Sequence, residues 1–323
     1  MKSYYDIHGI VKIKTNLKGC FPEYFRADKL NDIDLEIIES DFEFDKDSYS
    51  KIGSFYGDNK TIYFESTFYG IPIYRILIKD IEGKTKLYFT KTTNRIFNVQ
   101  KLAFILFQIK LLQKHFTLLH AGGVSKGTKG SVIFGWPGVG KSSTLFGLIE
   151  NESFELLGDD AVIISNKKKV YAYPQKVGVF FKSEHFKTLE LTKLQTLELS
   201  LRYLISKIPP FNRYIGAKLM VDISNVAEFK KMADIDQLYF LETGNGTDKL
   251  NKTIAINRII ASTIQSFFDH YLSNKMFYAY CYATGFDPGY IEKGMRHILS
   301  KSVNSRPLIL RSDRKDFHKY FIQ

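Results

Sequence analysis

The stretch Ser131-Val132-Ile133-Phe134-Gly135-Trp136-Pro137-Gly138-Val139-Gly140-Lys141-Ser142-Ser143 decides how the rest of the chain is read. It begins as an apolar, β-prone run, and Gly135 to Ser142 match G-x-x-x-x-G-K-[ST] in full. At ordinary residue frequencies such a match arises by chance in about one chain in a hundred of this length. Context makes it rarer, because a strand precedes the turn and a helix-compatible run from Lys141 to about Glu150 follows it. That order lets successive backbone N–H groups wrap a phosphate chain while a helix N-terminus faces it. Glycines allow the backbone to approach closely, Lys141 suits the β and γ oxygens, and Ser142 suits Mg²⁺. Gly135, Trp136, Pro137, Gly138, Val139, Gly140, Lys141, Ser142 and Ser143 are therefore the expected nucleotide-binding residues, with ATP and Mg²⁺ as the expected ligands.

Downstream, Asp159 and Asp160 close a short apolar run that should return as a strand beside the phosphate loop. Adjacent carboxylates at a strand end point to opposite sides. One can hold a metal while the other accepts a proton from an attacking hydroxyl. The competing reading is a turn, since Gly-Asp-Asp is also ordinary turn chemistry. Upstream, His120 sits in Leu118-Leu119-His120-Ala121-Gly122-Gly123, just ahead of the strand that feeds the loop. Standing alone, a histidine after two leucines is better explained by core packing.

A histidine followed by a small residue, a short link, a strand, the phosphate loop, a helix and an Asp-Asp pair is similar to the pattern of the HPr kinase/phosphorylase family. It also resembles the wider group of HPr-kinase-like P-loop kinases, distant relatives of the phosphoenolpyruvate carboxykinases. The resemblance covers roughly residues 117 to 180 and, more weakly, extends to about 260. It implies Asp160 as general base with His120 orienting it, Asp159 as the second carboxylate beside the metal, and Lys141 and Ser142 in their phosphate-loop roles. The family's loop usually carries other residues where this chain has Trp136 and Pro137, and an acidic residue where it has Ser143. The substrate signature of true HPr kinases is not recognisable, so the resemblance carries over kinase chemistry without HPr as acceptor. Val170-Tyr171-Ala172-Tyr173-Pro174 also resembles the segment after the Asp-Asp strand in HPr-kinase-like proteins found beside ribosomally made peptides, where the acceptor is a peptide serine.

Further out, the first hundred residues read as β-rich. Asp32 to Asp45 alternates acidic and apolar residues with one slip at Ile37 and Ile38, and Thr61–Ser66, Ile71–Lys79 and Lys86–Thr90 are short aromatic or β-branched runs. Asn98 is placed to cap a helix reaching about His115, with Leu102, Ile105, Leu106, Ile109 and Leu112 on one face. After the Asp pair, Ala161 to Tyr173 reads as a hairpin with Lys167, Lys168 and Lys169 at its tip. Residues 184 to 207 read as helix, Pro209 and Pro210 as a break, 217 to 223 and 237 to 241 as strands, and 253 to 269 and 291 to 300 as helices. The expected fold is α+β to α/β. A β-rich accessory or substrate-presenting module spans 1–97, and a P-loop kinase domain spans 98–323, with a mixed sheet flanked by helices and basic helices at its C-terminal end.

The 323 residues carry a formal charge of +12, and residues 1–100 hold 15 cationic and 15 acidic side chains, so the whole excess lies in residues 101–323. A basic second part suits polyanions, nucleotide phosphates among them. Arg202, Arg213 and Lys218 flank the proline break within reach of an anion, although ordinary surface positions are the better reading of them. With only Cys20 and Cys281 there is no disulfide framework and no cysteine zinc spacing, which fits a reducing, cytoplasmic setting. The most apolar stretch, Leu102 to Leu112, is interrupted by Gln108 and Lys110 and is too short to span a membrane. The expected activity is transfer of the γ-phosphoryl of ATP to a hydroxyl, foremost serine of a peptide or protein. Two alternatives stand beside it: an ATP-binding regulatory switch or assembly factor with slow hydrolysis, and a kinase acting on a small-molecule or nucleic-acid hydroxyl. A homo-oligomer is compatible with the sequence, and a membrane partner is not expected.

Overall fold

Alternating burial along the first ninety residues, BiBiB over Val11–Thr15 for example, builds a sheet with one face covered. The computed structural model describes residues 2–69, 71–181, 191–208, 218–221, 229–303, 306–313 and 317–321. Over these residues the protein is mixed α/β, with two large mixed sheets flanked by helices. The chain divides into two compact units, Met1–Leu118 with Ile260–Ser300, and Leu119–Ile259 with Lys301–Gln323.

In the first unit, strands β1 (Ser3–Ile7), β2 (Val11–Thr15), β3 (Arg26–Ala27), β4 (Leu35–Glu39), β5 (Ser50–Ile52), β6 (Phe55–Gly57), β7 (Thr61–Phe68), β8 (Ile71–Lys79) and β9 (Thr85–Phe89) form one sheet. Its order is β3-β1-β2-β4-β9-β8-β7-β6-β5, with β4 parallel to both β2 and β9. A short helix α1 (Lys91–Ile96) leads to α2 (Val99–Gln113), whose N-cap is Asn98, its side chain accepting from the Lys101 N–H. The sequence implies one apolar face on α2. The structure buries nearly every side, since Ala103, Phe107, Gln108, Lys110 and Leu111 are buried along with the expected leucines and isoleucines.

That burial moves the expected boundary at 97/98. Phe107 of α2 packs edge-on against Phe21 at 5.4 Å, and Lys110 donates to the Ile81 carbonyl at 2.8 Å, so α2 belongs with the first sheet. The later segment returns to the same unit: the Ile81 N–H donates to the Tyr280 hydroxyl at 3.1 Å. The helices near the C-terminal end are thus shared between units and do not all complete the second.

The second unit starts within β10 (Phe116–Leu119), the strand that carries the chain across the boundary. It continues with β11 (Gly122–Lys126), β12 (Lys129–Gly135), α3 (Lys141–Glu152), β13 (Glu155–Gly158), β14 (Val162–Ser165), β15 (Lys169–Ala172) and β16 (Val177–Phe180). Then come α4 (Lys193–Ile205), β17 (Lys218–Val221), β18 (Met232–Glu242), β19 (Gly246–Lys249) and α5 (Lys252–Thr263). The chain closes with α6 (Tyr271–Thr284), α7 (Tyr290–Ser302) and β20 (Leu308–Arg311). The expected 161–173 hairpin is present as β14 and β15, with Lys168 at φ 57 in its turn. Of the expected 184–207 helix, residues 193–205 are helical and 184–190 lie outside the described residues, as do Pro209 and Pro210.

Strand order fixes the site. β12 runs parallel to β18 on one side and antiparallel to β11 on the other, and β11 is in turn antiparallel to β13. The C-terminal ends of β12 and β13 and the N-terminal end of β11 therefore share one sheet edge. The Asp-Asp strand lies next but one to the phosphate-loop strand, with β11 between them. Beneath that edge, Leu145, Phe146 and Leu148 of α3 pack with Val124, Ile133, Leu156 and Leu241 in a common core.

Candidate functional site

α3 begins at Lys141 because Gly140 takes φ 111, a left-handed cap that a side chain would strain. Ahead of it, Gly138 at φ 86 and the Val139 N–H donating to the Trp136 carbonyl at 3.2 Å close the turn. A β-carbon on Gly135 would meet Val139 Cγ1 at 2.5 Å, so the strand must hand over to the turn through glycine. Trp136 stands 64% exposed over the turn, while Val139 tucks against the core. Within α3, the Thr144 hydroxyl donates back to the Gly140 carbonyl at 2.9 Å and ties the first turn down.

The two aspartates divide between different partners. The Ser142 hydroxyl donates to Asp159 Oδ2 at 3.0 Å, and the Asp159 side chain is buried. Its other oxygen, Oδ1, is buried with no hydrogen-bond partner. Asp160 is about one third exposed and pairs with the Lys141 ammonium at 3.5 Å. Lys141, itself buried, also reaches His120 Nε2 at 3.4 Å, and His120 Nδ1 lies 3.0 Å from the Asp160 carbonyl. A carbonyl only accepts, so Nδ1 carries the ring proton and Nε2 accepts from the lysine. His120, Lys141, Ser142, Asp159 and Asp160 are thus brought together.

Small residues make this approach feasible. A β-carbon on Gly122 would meet Leu145 Cδ1 at 2.5 Å and the Asp159 carbonyl at 3.2 Å, and one on Gly158 would meet the Ala161 carbonyl at 2.1 Å. The Gly122-Gly123 pair thereby lets β11 slide under α3 and alongside the Asp pair.

Burial first, and then the neighbouring Asp160 charge, push the Asp159 carboxyl up to about 6; Lys141, the Ser142 hydrogen bond and Lys218 pull it back down. Lys218 is the residue that sequence reasoning undervalued. It stands opposite Phe180 in the β16–β17 pair and leans across Gly178, its Cε 1.2 Å from where a Gly178 β-carbon would sit. No pattern in the sequence announces that crossing, since it depends on a pairing made over some forty residues. Arg202 instead pairs with Glu198 on its own helix, and Arg213 lies outside the described residues.

An orphaned buried carboxylate oxygen beside a hydroxyl is a hard-oxygen donor set of the kind Mg²⁺ takes when phosphates complete its shell. Among the described residues no group of three or more His, Cys, Asp or Glu side chains could hold a metal by itself. The site therefore fits a metal that arrives with a phosphate ligand. Among the same residues no helix is long and apolar enough to cross a membrane. No family model matches the chain, and neither does any curated protein.

Proposed function

We propose that this protein is a P-loop phosphotransferase of the HPr-kinase-like type, moving the γ-phosphoryl of ATP to a hydroxyl, foremost a serine of a peptide or protein. The observation that carries this reading is the division of the acidic pair, Asp159 buried against Ser142 and Asp160 part-exposed against Lys141. A turn holding a nucleotide by charge alone has no need of a second, solvent-facing carboxylate beside its lysine.

The turn from Gly135 to Gly140 and the first N–H groups of α3 wrap the β-phosphate, and Lys141 bridges to the γ-phosphate oxygens. Ser142 and Asp159 would hold Mg²⁺, which when bound supplies charge neutralisation on the β and γ oxygens. Asp160 accepts the acceptor hydroxyl's proton as the new O–P bond forms and the bond to the β–γ bridging oxygen breaks, releasing ADP. His120, donating to the Asp160 backbone and accepting from Lys141, keeps base and lysine in register. Lys218 adds a further cation beside Asp159.

The test uses γ-labelled ATP, Mg²⁺ and a serine-containing peptide library with the full chain. Wild type is expected to transfer label to peptide, and Asp160→Asn to lose about 10²- to 10⁴-fold in rate while still binding nucleotide. Undiminished transfer in Asp160→Asn would remove the base assignment. Hydrolysis without transfer to any hydroxyl acceptor would replace the kinase with a nucleotide switch.

A further inference from the structure

On α4, Leu194, Leu197, Leu201 and Leu204 stand 79%, 57%, 49% and 60% exposed. Water should not be the permanent neighbour of four leucines in a row. Their spacing of three, four and three residues is that of a and d positions in two successive heptads, and it places them on a single stripe. The opposite side anchors the helix: Leu199 is buried with Leu219 and Val221, and the Tyr203 ring lies 5.1 Å from that of Phe181. A Thr192–Gln195 capping box fixes its N-terminus. The stripe is thus presented outward by a well-anchored helix. Ile208, 52% exposed, falls at the next a position just past the helix end.

We infer that α4 is a self-pairing surface, on which two copies of this chain lay their leucine stripes together as a short parallel coiled coil about a two-fold axis. Charge selects this occupant. With Leu194 at a, Lys193 is at g and Glu198 at e, both exposed. Arg202 of the same helix holds Glu198 through Oε1, and parallel pairing, which sets g of one helix beside e of its partner five residues on, brings Lys193 to the Oε2 side of Glu198 twice by symmetry. Antiparallel pairing would set e against e and oppose Glu198 with Glu198. Covering both stripes buries on the order of 1,000 Å² in total, at the small end for specific association, so the pair exchanges with monomer in roughly the micromolar range. The inference is independent of the nucleotide reading.

Sedimentation of the full chain from about 1 to 100 μM tests it, a range chosen around a micromolar dissociation constant. Wild type should rise from monomer towards dimer mass, and Leu201→Glu should stay monomeric throughout. Lys193→Glu and Glu198→Lys should each weaken pairing several-fold, and the double exchange should restore it. These charge variants sit at exposed positions, so they report on pairing even if Leu201→Glu misfolds. A wild type that stays monomeric at every concentration, or assembles as a trimer, overturns the inference. So do single charge variants that pair as wild type does, or a double exchange no stronger than either single.

Discussion

Asp159 is costly where it stands. Its carboxyl, pushed up by burial and by Asp160 to about 6, holds its proton in the folded chain after the unfolded chain has released it near 4. Below about pH 4 both states are protonated and the residue carries no penalty. Between about pH 4 and pH 6 the folded state loses on the order of 3 kcal/mol, and above that range the loss is complete. Asp159→Asn is therefore expected to melt higher than wild type at pH 8, the difference vanishing towards pH 4, with Mg²⁺-dependent activity lost. A lower melting temperature for the variant at pH 8 would show that the carboxylate is held as a favourable anion. The acidic pair was legible in the sequence as neighbours at a strand end. Which member is buried was not, because that depends on α3 delivering the Ser142 hydroxyl to one oxygen of Asp159.

At the scale of elements, two packing details carry consequences. Lys218 passes over Gly178, so a valine there would displace its ammonium without removing it. Gly178→Val and Lys218→Met should lower kcat/KM by similar factors, on the order of 10-fold or more for loss of one cation beside Asp159, with secondary structure by circular dichroism unchanged. Divergence between the two variants would mean that Gly178 serves some other purpose. In the first unit, Lys110 donates to the Ile81 and Gly83 carbonyls and to Gln113 from within α2. Lys110→Met leaves the Gly83 carbonyl without that donor and should cost about 1–3 kcal/mol in urea denaturation. The strands at 61–68 and 71–79 and the Asn98-capped helix were readable from period and cap chemistry. Burial of α2 on nearly all sides was not, because Gln108 and Lys110 look like a polar face until Thr117 and the 81–83 turn supply their partners.

Across the whole molecule, the sequence placed a boundary where composition changes, near residue 97, whereas the units divide at 118 and exchange a later segment. Composition marks where strands give way to helices; which core a helix completes is decided by pairings such as that of Ile81 with Tyr280, far apart in the chain. The strand order that sets β11 between β12 and β13 was likewise unreadable, although the residues it gathers had all been singled out. Division into units also localises ligand effects. A nucleotide that binds only the folded second unit stabilises it by mass action, about 2.7 kcal/mol at a hundredfold excess over Kd. ATP with Mg²⁺ should slow amide exchange in α3, β12 and β13 well before it alters the first sheet. Equal slowing in both units would place the ligand elsewhere.

Calorimetric titration of ATP with Mg²⁺ into the full chain and its Lys141→Ala and Asp160→Asn variants tests the central claim most directly. One nucleotide per wild-type chain, retained in Asp160→Asn and abolished in Lys141→Ala, is the predicted result. Absence of binding to wild type, or binding indifferent to Lys141, would contradict it.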